Sequence, residues 1–531
     1  MRRLVILGAA MALTLAVLSP ASAGTLTADA PLRVSGESPF GDDCGREAAG
    51  GTLFLDSEVE PYVDVNPVDD SNIVAIWQQD RWSNGGARGN VAGVSFDGGL
   101  SWQLVLFGGV SECDGGEFDR ASDPWVSFGP DGTLYAMHLV TDAAPPAKKP
   151  GGFGRNGMMV QASRDGGITW EDPILIAEET DGDGLHDKNT LTADPTREGY
   201  AYAVWDFLDI PPGGTINPER GTFGGGLGFK GGSLISRTTD GGMTWSQPQR
   251  LYNPGGVNQT IGNQIVVQPN GRLVNVFNEI LNFRNDDVDA QFDFNLALKY
   301  SDDAGETWLP QGRPIRFGDM IPRGLFTPTP GVYQPDAVGA ATLDPANAVR
   351  TADAIPEVAV GPEGNLYVVW QDARFSFPGA SDVTQIYDGV AFSMSTDGGF
   401  TWSTPIKVNQ TPDTGPLGNR QAFIPMVRAL DDGTVGISYY DFRNNFLGDG
   451  IGSTDLFVVH CHTGCSNPTN WTNEQRVTTS SFDITEAPFA RGYFPGDYVG
   501  FETDGTDFVS LFTQTGGTGP SDQWFARVVG P

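Results

Sequence analysis

The sequence predicts an all-β fold: a seven-bladed β-propeller of four-stranded antiparallel blades, with six blades as the alternative. Three observations predict it. First, one eight-residue pattern, Ser/Thr-x-Asp-Gly/Ala-Gly-x-Ser/Thr-Trp, occurs five times: SFDGGLSW (95–102), SRDGGITW (163–170), TTDGGMTW (238–245), SDDAGETW (301–308) and STDGGFTW (395–402). Recurrence of one short unit is the mark of a repeat architecture. Second, a hairpin pattern of two alternating apolar segments around a Pro/Asp/Gly turn lies between these copies. Third, 71 glycines and 37 prolines interrupt any sustained helical period.

The elements follow in chain order. Residues 1–23 carry Arg2 and Arg3, an apolar run and Ala21-Ser22-Ala23, the pattern of a cleaved secretory leader. One domain, 24–531, is expected after it, secreted to the extracellular space or the periplasm. Seven hairpins then begin at EPYVDV (60–65), DPWVSF (123–128), NTLTAD (189–194), NQIVVQ (263–268), IPEVAV (355–360), FIPMVR (423–428) and YVGFET (498–503). After each of the first six come a third strand, a turn and a fourth strand, the count a propeller blade needs. The seventh ends after QWFARVV (523–529) with three strands. An N-terminal strand near PLRVSG (31–36) is expected to cover its open edge, since bare edges invite mispairing. The stretches 209–232 and 317–353 read as surface loops.

Each copy of the pattern falls between the third and fourth strands. There the Asp accepts hydrogen bonds from turn amides, the glycines supply positive φ, and the Trp buries its ring. The pattern is a structural staple. It strongly resembles the Asp-box, or BNR, repeat of sialidases and related propellers, over nearly the whole of 24–531. The resemblance implies a secreted glycoside hydrolase of exo-α-sialidase type or, alternatively, a non-catalytic propeller that binds glycan or protein.

The formal net charge of −34 excludes nucleic acid as a partner and favours cations. No segment beyond the leader is long and apolar enough for a membrane span, so membrane insertion is not expected. A monomer acting on a glycan or glycoconjugate, with no required cofactor, is the expectation. Four cysteines in an exported chain point to disulfides Cys44–Cys113 and Cys461–Cys465. His460 and His462 raise zinc as the alternative for the second pair. On a strand, however, both histidines face opposite to Cys461.

Strand two of several units ends in charged and aromatic residues, WQQDRW (77–82), WDF (205–207), WQDARF (370–375) and YYDFR (439–443), on the face opposite the boxes. The starts of the first strands add Glu60, Arg120, Asp123, Asp187, Lys188, Glu357, Arg420, Arg491, Asp497 and Tyr498. Asp–Arg pairs at such positions also serve as braces between units. In the sialidase reading, three arginines hold a carboxylate, a Tyr is the nucleophile and an Asp the acid/base. The candidates are Arg81, Arg120, Arg374, Arg420, Arg443 and Arg491 for the clamp. Asp80, Asp123, Asp372 or Asp441 could be the acid, and Tyr440 or Tyr498 the nucleophile. The sialidase Phe/Tyr-Arg-Ile-Pro motif is not found; AFIP (422–425) and DAIP (353–356) place Phe423 and Ala354 where its Arg belongs. Asp181, Asp183 and Asp187 in DGDGLHDKN resemble part of a calcium loop, so calcium is the metal to test.

Overall fold

The computed structural model describes residues 25–45, 50–149, 152–209, 215–217, 222–224, 230–284, 291–321, 331–333, 348–376, 386–446 and 451–530. The expected leader, 1–23, lies outside the described residues, as does much of 209–232. The described chain is all-β, with short 3-10 turns and no α-helix. No helix among the described residues is long and apolar enough to cross a membrane.

Six successive units are antiparallel meanders of four strands. Unit one is Glu58–Val65, Ile73–Arg81, Ala87–Ser95 and Gln103–Leu106; unit two is Arg120–Phe128, Leu134–Thr141, Asn156–Ser163 and Ile174–Glu179. Unit three is Gly184–Ala193, Ala201–Asp209, Lys230–Thr238 and Gln249–Tyr252; unit four is Gln259–Val267, Leu273–Arg284, Gln291–Ser301 and Ile315–Asp319. Unit five is Glu357–Val360, Leu366–Asp372, Gly389–Ser395 and Ile406–Lys407; unit six is Ala422–Ala429, Val435–Asp441, Ser453–Cys461 and Thr472–Arg476. Unit seven has Gly500–Asp504, Asp507–Gln514 and Asp522–Val529, and its last strand pairs with Leu32–Arg33 and Thr27–Ala28 from the other end of the chain. The outer-strand position is thus taken by residues near those the sequence pointed to, with Thr27–Ala28 as an addition.

Within each unit the first strand is the innermost. It lies against the first strand of the next unit, and the first strand of unit seven lies against that of unit one. A cavity of about 290 Å³ is lined by all seven of these strands, through Tyr62, Trp125, Leu191, Ile265, Val358, Arg428 and Glu502 among others. Arg428 crosses it, donating to Glu502 Oε2 at 2.7 Å and to the Tyr62 hydroxyl at 2.6 Å. Burial raises the carboxyls there, Asp64 to about 8 and Glu357 to about 7.

The second strands carry the core. Trp77, Trp205 and Trp370 are fully buried at matching places in units one, three and five. Each indole N–H finds an internal partner: Gln79 at 3.0 Å, His186 at 2.9 Å and Asp372 at 2.5 Å. A buried indole left unpaired would cost the desolvation of its N–H.

The five eight-residue turns are built alike. In the fifth, Asp397 accepts from the Ser395 hydroxyl at 2.9 Å, the Thr401 amide at 2.9 Å and the Thr401 hydroxyl at 2.6 Å. Hydrogen bonding from the Ser or Thr hydroxyl holds the Asp97, Asp240 and Asp397 carboxyls below the usual range. Gly399 has φ +95°, and a Cβ there would meet Leu298 Cδ2 of unit four at 2.8 Å. The Trp also reaches the preceding unit: Trp102 packs on Phe525, Trp170 on Phe107, and Trp402 stacks on Phe317 at 4.0 Å. The staple therefore joins units as well as strands. Ser395→Ala removes the buried acceptor of the Gly399 amide (2.9 Å) and should cost about 1–3 kcal/mol. A urea midpoint unchanged from wild type would count against the staple.

Cys44–Cys113 and Cys461–Cys465 form disulfides, and no cysteine is free. The second replaces the missing box of unit six, where the Trp471 indole donates to Cys465 O at 2.8 Å and packs on Phe392. The reading of 317–353 as a surface loop needs correction. Phe317 belongs to an outer strand, and Ala348–Arg350 pairs with Gly331–Tyr333. Val349 is fully buried and bridges to Tyr493. An apolar residue with a bridging partner fixes Val349 in the interior; 322–330 and 334–347 lie outside the described residues.

Candidate functional site

The site grows from a defect repeated in the innermost strands. Pairing with strand two shifts register between Val59 and Tyr62, Ser122 and Trp125, and Asp187 and Thr190. Each shift is a bulge with one residue in the left-handed region: Glu60 (φ 53°), Asp123 (φ 42°) and Lys188 (φ 48°). Bulges re-aim side chains, and left-handed backbone at a non-glycine costs about 1–2 kcal/mol. Unit four has Gly262 and unit six Ile424 at the same point. The charged bulges thus belong to units one to three. Gly496 (φ +137°) lets unit seven approach; a Cβ there would sit 2.7 Å from the Glu60 amide nitrogen.

Lys188 is the hub. Its ammonium forms an ion pair with Asp497 and lies 3.4 Å from Asp123 Oδ2 and 3.6 Å from Glu60 Oε1. Arg350 adds a second cation on Asp497, at 3.2 Å. Arg81 donates to Gln78 Oε1 at 2.6 Å, and Gln78 in turn donates to Glu60. The Phe494 ring lies under both guanidiniums, 4.9 Å from Arg81 and 4.2 Å from Arg350. Arg491 is exposed, at φ 64°.

These neighbours pull the titrations apart. Burial, then Asp123, raises Glu60 to about 8, and burial raises Asp187 to about 6. Arg350 and Lys188 overcome burial at Asp497 and hold it well below the usual carboxylate range. The carboxylates raise Lys188 well above its ordinary value against the effect of its own burial. Arg81 falls to about 10 through burial, and Arg491 to about 10, first through the charge of Arg350. At neutral pH the cluster pairs a protonated carboxyl, Glu60, with an ionised one, Asp497.

The other sequence candidates lie elsewhere. Asp80 is fully buried and accepts from Arg88 Nη1 at 2.9 Å, the Ser38 hydroxyl at 2.6 Å and the Asp56 amide at 2.8 Å. Asp372 is held by Arg374 Nε at 2.8 Å as well as by Trp370. Asp441 accepts from Arg443 and from the Thr411 hydroxyl at 2.7 Å, while Arg443 also binds Glu474. These Asp–Arg pairs brace single units. Arg120 donates to Gly85 O at 2.6 Å over the Trp82 ring, and Arg420 to Gly415 O at 2.7 Å. Tyr440 donates to Thr513 O at 2.8 Å and Tyr498 to Pro124 O at 3.1 Å. Both phenols are buried and raised.

Of the expected calcium ligands, Asp181 and Asp183 are exposed, and Asp183 pairs with Lys149. Asp187 lies beyond them on the first strand of unit three, within the field of Lys188. Among the described residues, no group of three or more His, Cys, Asp or Glu is placed to hold a metal ion.

Arg350 was missed in the sequence because its stretch has no alternating pattern. Glu60 and Asp123 share a sharper signal than the one that nominated them. An acidic residue directly precedes a proline at the start of a first strand, where units five and six have Ile355-Pro356 and Ile424-Pro425.

No family model matches the sequence, and no curated protein matches it. Among solved structures, a Hadza microbial sialidase aligns with TM-score 0.43 and 14% identity over 86% of this chain and 73% of that one. A Dyadobacter fermentans protein of unknown function aligns with TM-score 0.43 and 16% identity over 77% and 95%. A Penicillium chrysogenum α-L-arabinanase aligns with TM-score 0.39 and 14% identity over 77% and 93%. All three TM-scores lie below 0.5, so the likeness assigns neither a family nor an activity to this chain.

Proposed function

We propose that the seven units are the blades of a closed propeller of Asp-box type, and that the charged mouth of its channel hydrolyses an anionic glycan. The observation that carries the reading is the convergence of Glu60, Asp123, Asp187 and Asp497 with Lys188, Arg81, Arg350 and Arg491. Arg81 Nε is buried without a hydrogen-bond partner, and Arg491 is an exposed residue. A planar guanidinium matches a carboxylate with two parallel hydrogen bonds, so a carboxylated sugar suits them. Glu60 then gives its proton to the leaving oxygen as the glycosidic bond breaks, and Asp497, held ionised by two cations, stabilises the positive charge that develops on the sugar. Water adds to that carbon and gives its proton to the Glu60 carboxylate, which restores the acid. In this reading the protein is an exported monomer and uses no metal.

The test is release of a fluorophore from a sialoside, then from a panel of other glycosides, with and without calcium. Glu60→Gln should lower kcat by about 10²- to 10⁴-fold with KM little changed. Arg491→Ala should mainly raise KM. Absence of turnover by the folded protein on every substrate would remove the hydrolase reading. The second reading, a glycan-binding propeller without chemistry, is favoured by the complete engagement of Asp80, Asp372 and Asp441. It predicts a glycan that binds at the mouth and is recovered intact.

A further inference from the structure

Unit six lacks the eight-residue turn, and its substitute brings two histidines together. His460 and His462 flank Cys461, two residues apart on an extended chain, and so share a face. Their ring centroids are 4.7 Å apart, and the two Nε2 atoms face one another across 3.1 Å. The outer nitrogens are both engaged. His460 Nδ1 lies 3.2 Å from Asn473 O, which can only accept, so Nδ1 carries the hydrogen and Nε2 is bare. His462 Nδ1 lies 2.8 Å from the Thr434 hydroxyl, which can donate or accept, so this ring can carry its hydrogen on either nitrogen. With that hydrogen on Nδ1, both Nε2 lone pairs enter the same gap.

The spacing of that gap is informative. Two nitrogens bound to one ion at about 2.0–2.1 Å stand about 3.3 Å apart in a tetrahedral site and about 2.9 Å apart in a square one. The observed 3.1 Å lies between these values. Metal-bound histidines also donate their other ring N–H to an oxygen, which fixes the ring; Asn473 O and Thr434 Oγ1 occupy those positions here.

We propose that His460 and His462 form a two-histidine site for a divalent transition-metal ion, zinc or copper, with water completing its shell. Cys461 and Cys465 are not ligands, because their sulfurs are joined. Imidazole nitrogen selects zinc or copper over calcium. His460 is buried, whereas His462 is partly exposed and followed by the exposed Thr463 and Gly464, so the ion arrives from the His462 side. A bound ion would pin a turn that has lost its Asp staple, adding to the disulfide. The site lies at the turn between the third and fourth strands, away from the charged mouth, and is independent of the glycan reading.

The chain has four histidines, which makes the test clean. His138 and His186 are buried in other units, His138 Nδ1 against Asn90 and His186 Nδ1 against the Trp205 indole. The experiment titrates the metal-free, disulfide-intact protein with zinc chloride by calorimetry, and with copper(II) by electron paramagnetic resonance. One saturable equivalent, two-nitrogen coordination of copper and a zinc-dependent rise in thermal midpoint are expected. His462→Ala, at the open side, should lose all three while folding normally. Thr434→Val keeps both rings and removes one outer oxygen, and should weaken binding about tenfold. Absence of a saturable equivalent in the wild type, or binding unchanged in His462→Ala, would overturn the proposal.

Discussion

Lys188→Met is expected to destabilise the protein by about 3–5 kcal/mol at pH 8, the range for removing one partner from a buried ion pair. The ammonium faces Asp497, Asp123 and Glu60 at once. Methionine has similar length and suffers the same left-handed backbone at φ 48°, so the loss is one of charge alone. Arg350 remains as a partner for Asp497, but among the ion pairs described Asp123 and Glu60 have only Lys188. Lys188 is one of the charges that lower Glu60, so without it Glu60 keeps its proton at pH 8 as at pH 5, and the deficit should be similar at the two pH values. Urea unfolding at both pH values measures this. A deficit below about 1 kcal/mol at pH 8, the worth of an exposed pair, would show that the cluster is open to solvent.

The second large effect is a fall in stability as pH rises from 5 to about 8.5. Burial raises Glu60, Asp64 and Glu474 to about 8 each, and Asp206 and Glu357 to about 7 each. In the unfolded chain such groups titrate near 4. Between those limits the folded protein holds more protons than the unfolded chain. Their contribution is therefore fully present below about pH 4 and is lost as pH rises through 7 to 8. Each carboxyl titrating in that window contributes a slope of about 1.4 kcal/mol per pH unit. Asp497, depressed, works in the opposite sense, but its contribution is lost only on acidification below the ordinary Asp range. The thermal midpoint should drop over this range, and Glu357→Gln should flatten the curve. A midpoint that rises with pH, or a Glu357→Gln curve parallel to wild type, would sink the account.

Much of the fold was legible because its signals are local. The Asp, glycines and Trp of each box act within eight residues, so pattern and structure coincide at Asp97 and Asp397 alike. The disulfides were readable from four cysteines and their spacing. What the sequence hid was partnership across distance. Asp80 and Asp441 look like candidate acids in WQQDRW and YYDFR, and nothing in those strings reveals Arg88 or Thr411. Arg350 reaches Asp497 across a separation of 147 residues. Bulges were equally invisible, since a register shift depends on the partner strand; yet they aim Glu60, Asp123 and Lys188.

The pairing of Leu32–Arg33 with the strand Asp522–Val529 has a consequence for the order of events in folding. Units one to six can each assemble from contiguous chain as it emerges, but this last clasp joins segments almost five hundred residues apart. Closing so long a loop is slow rather than expensive, because each doubling of length adds only about 0.6 kcal/mol. Until both ends meet, unit seven presents a bare edge and unit one lacks its neighbour. In the closed-propeller reading the molecule is a clasped bracelet: proteolytic loss of a few residues before Val34 would spring the joint between its first and last links, leaving the middle links intact.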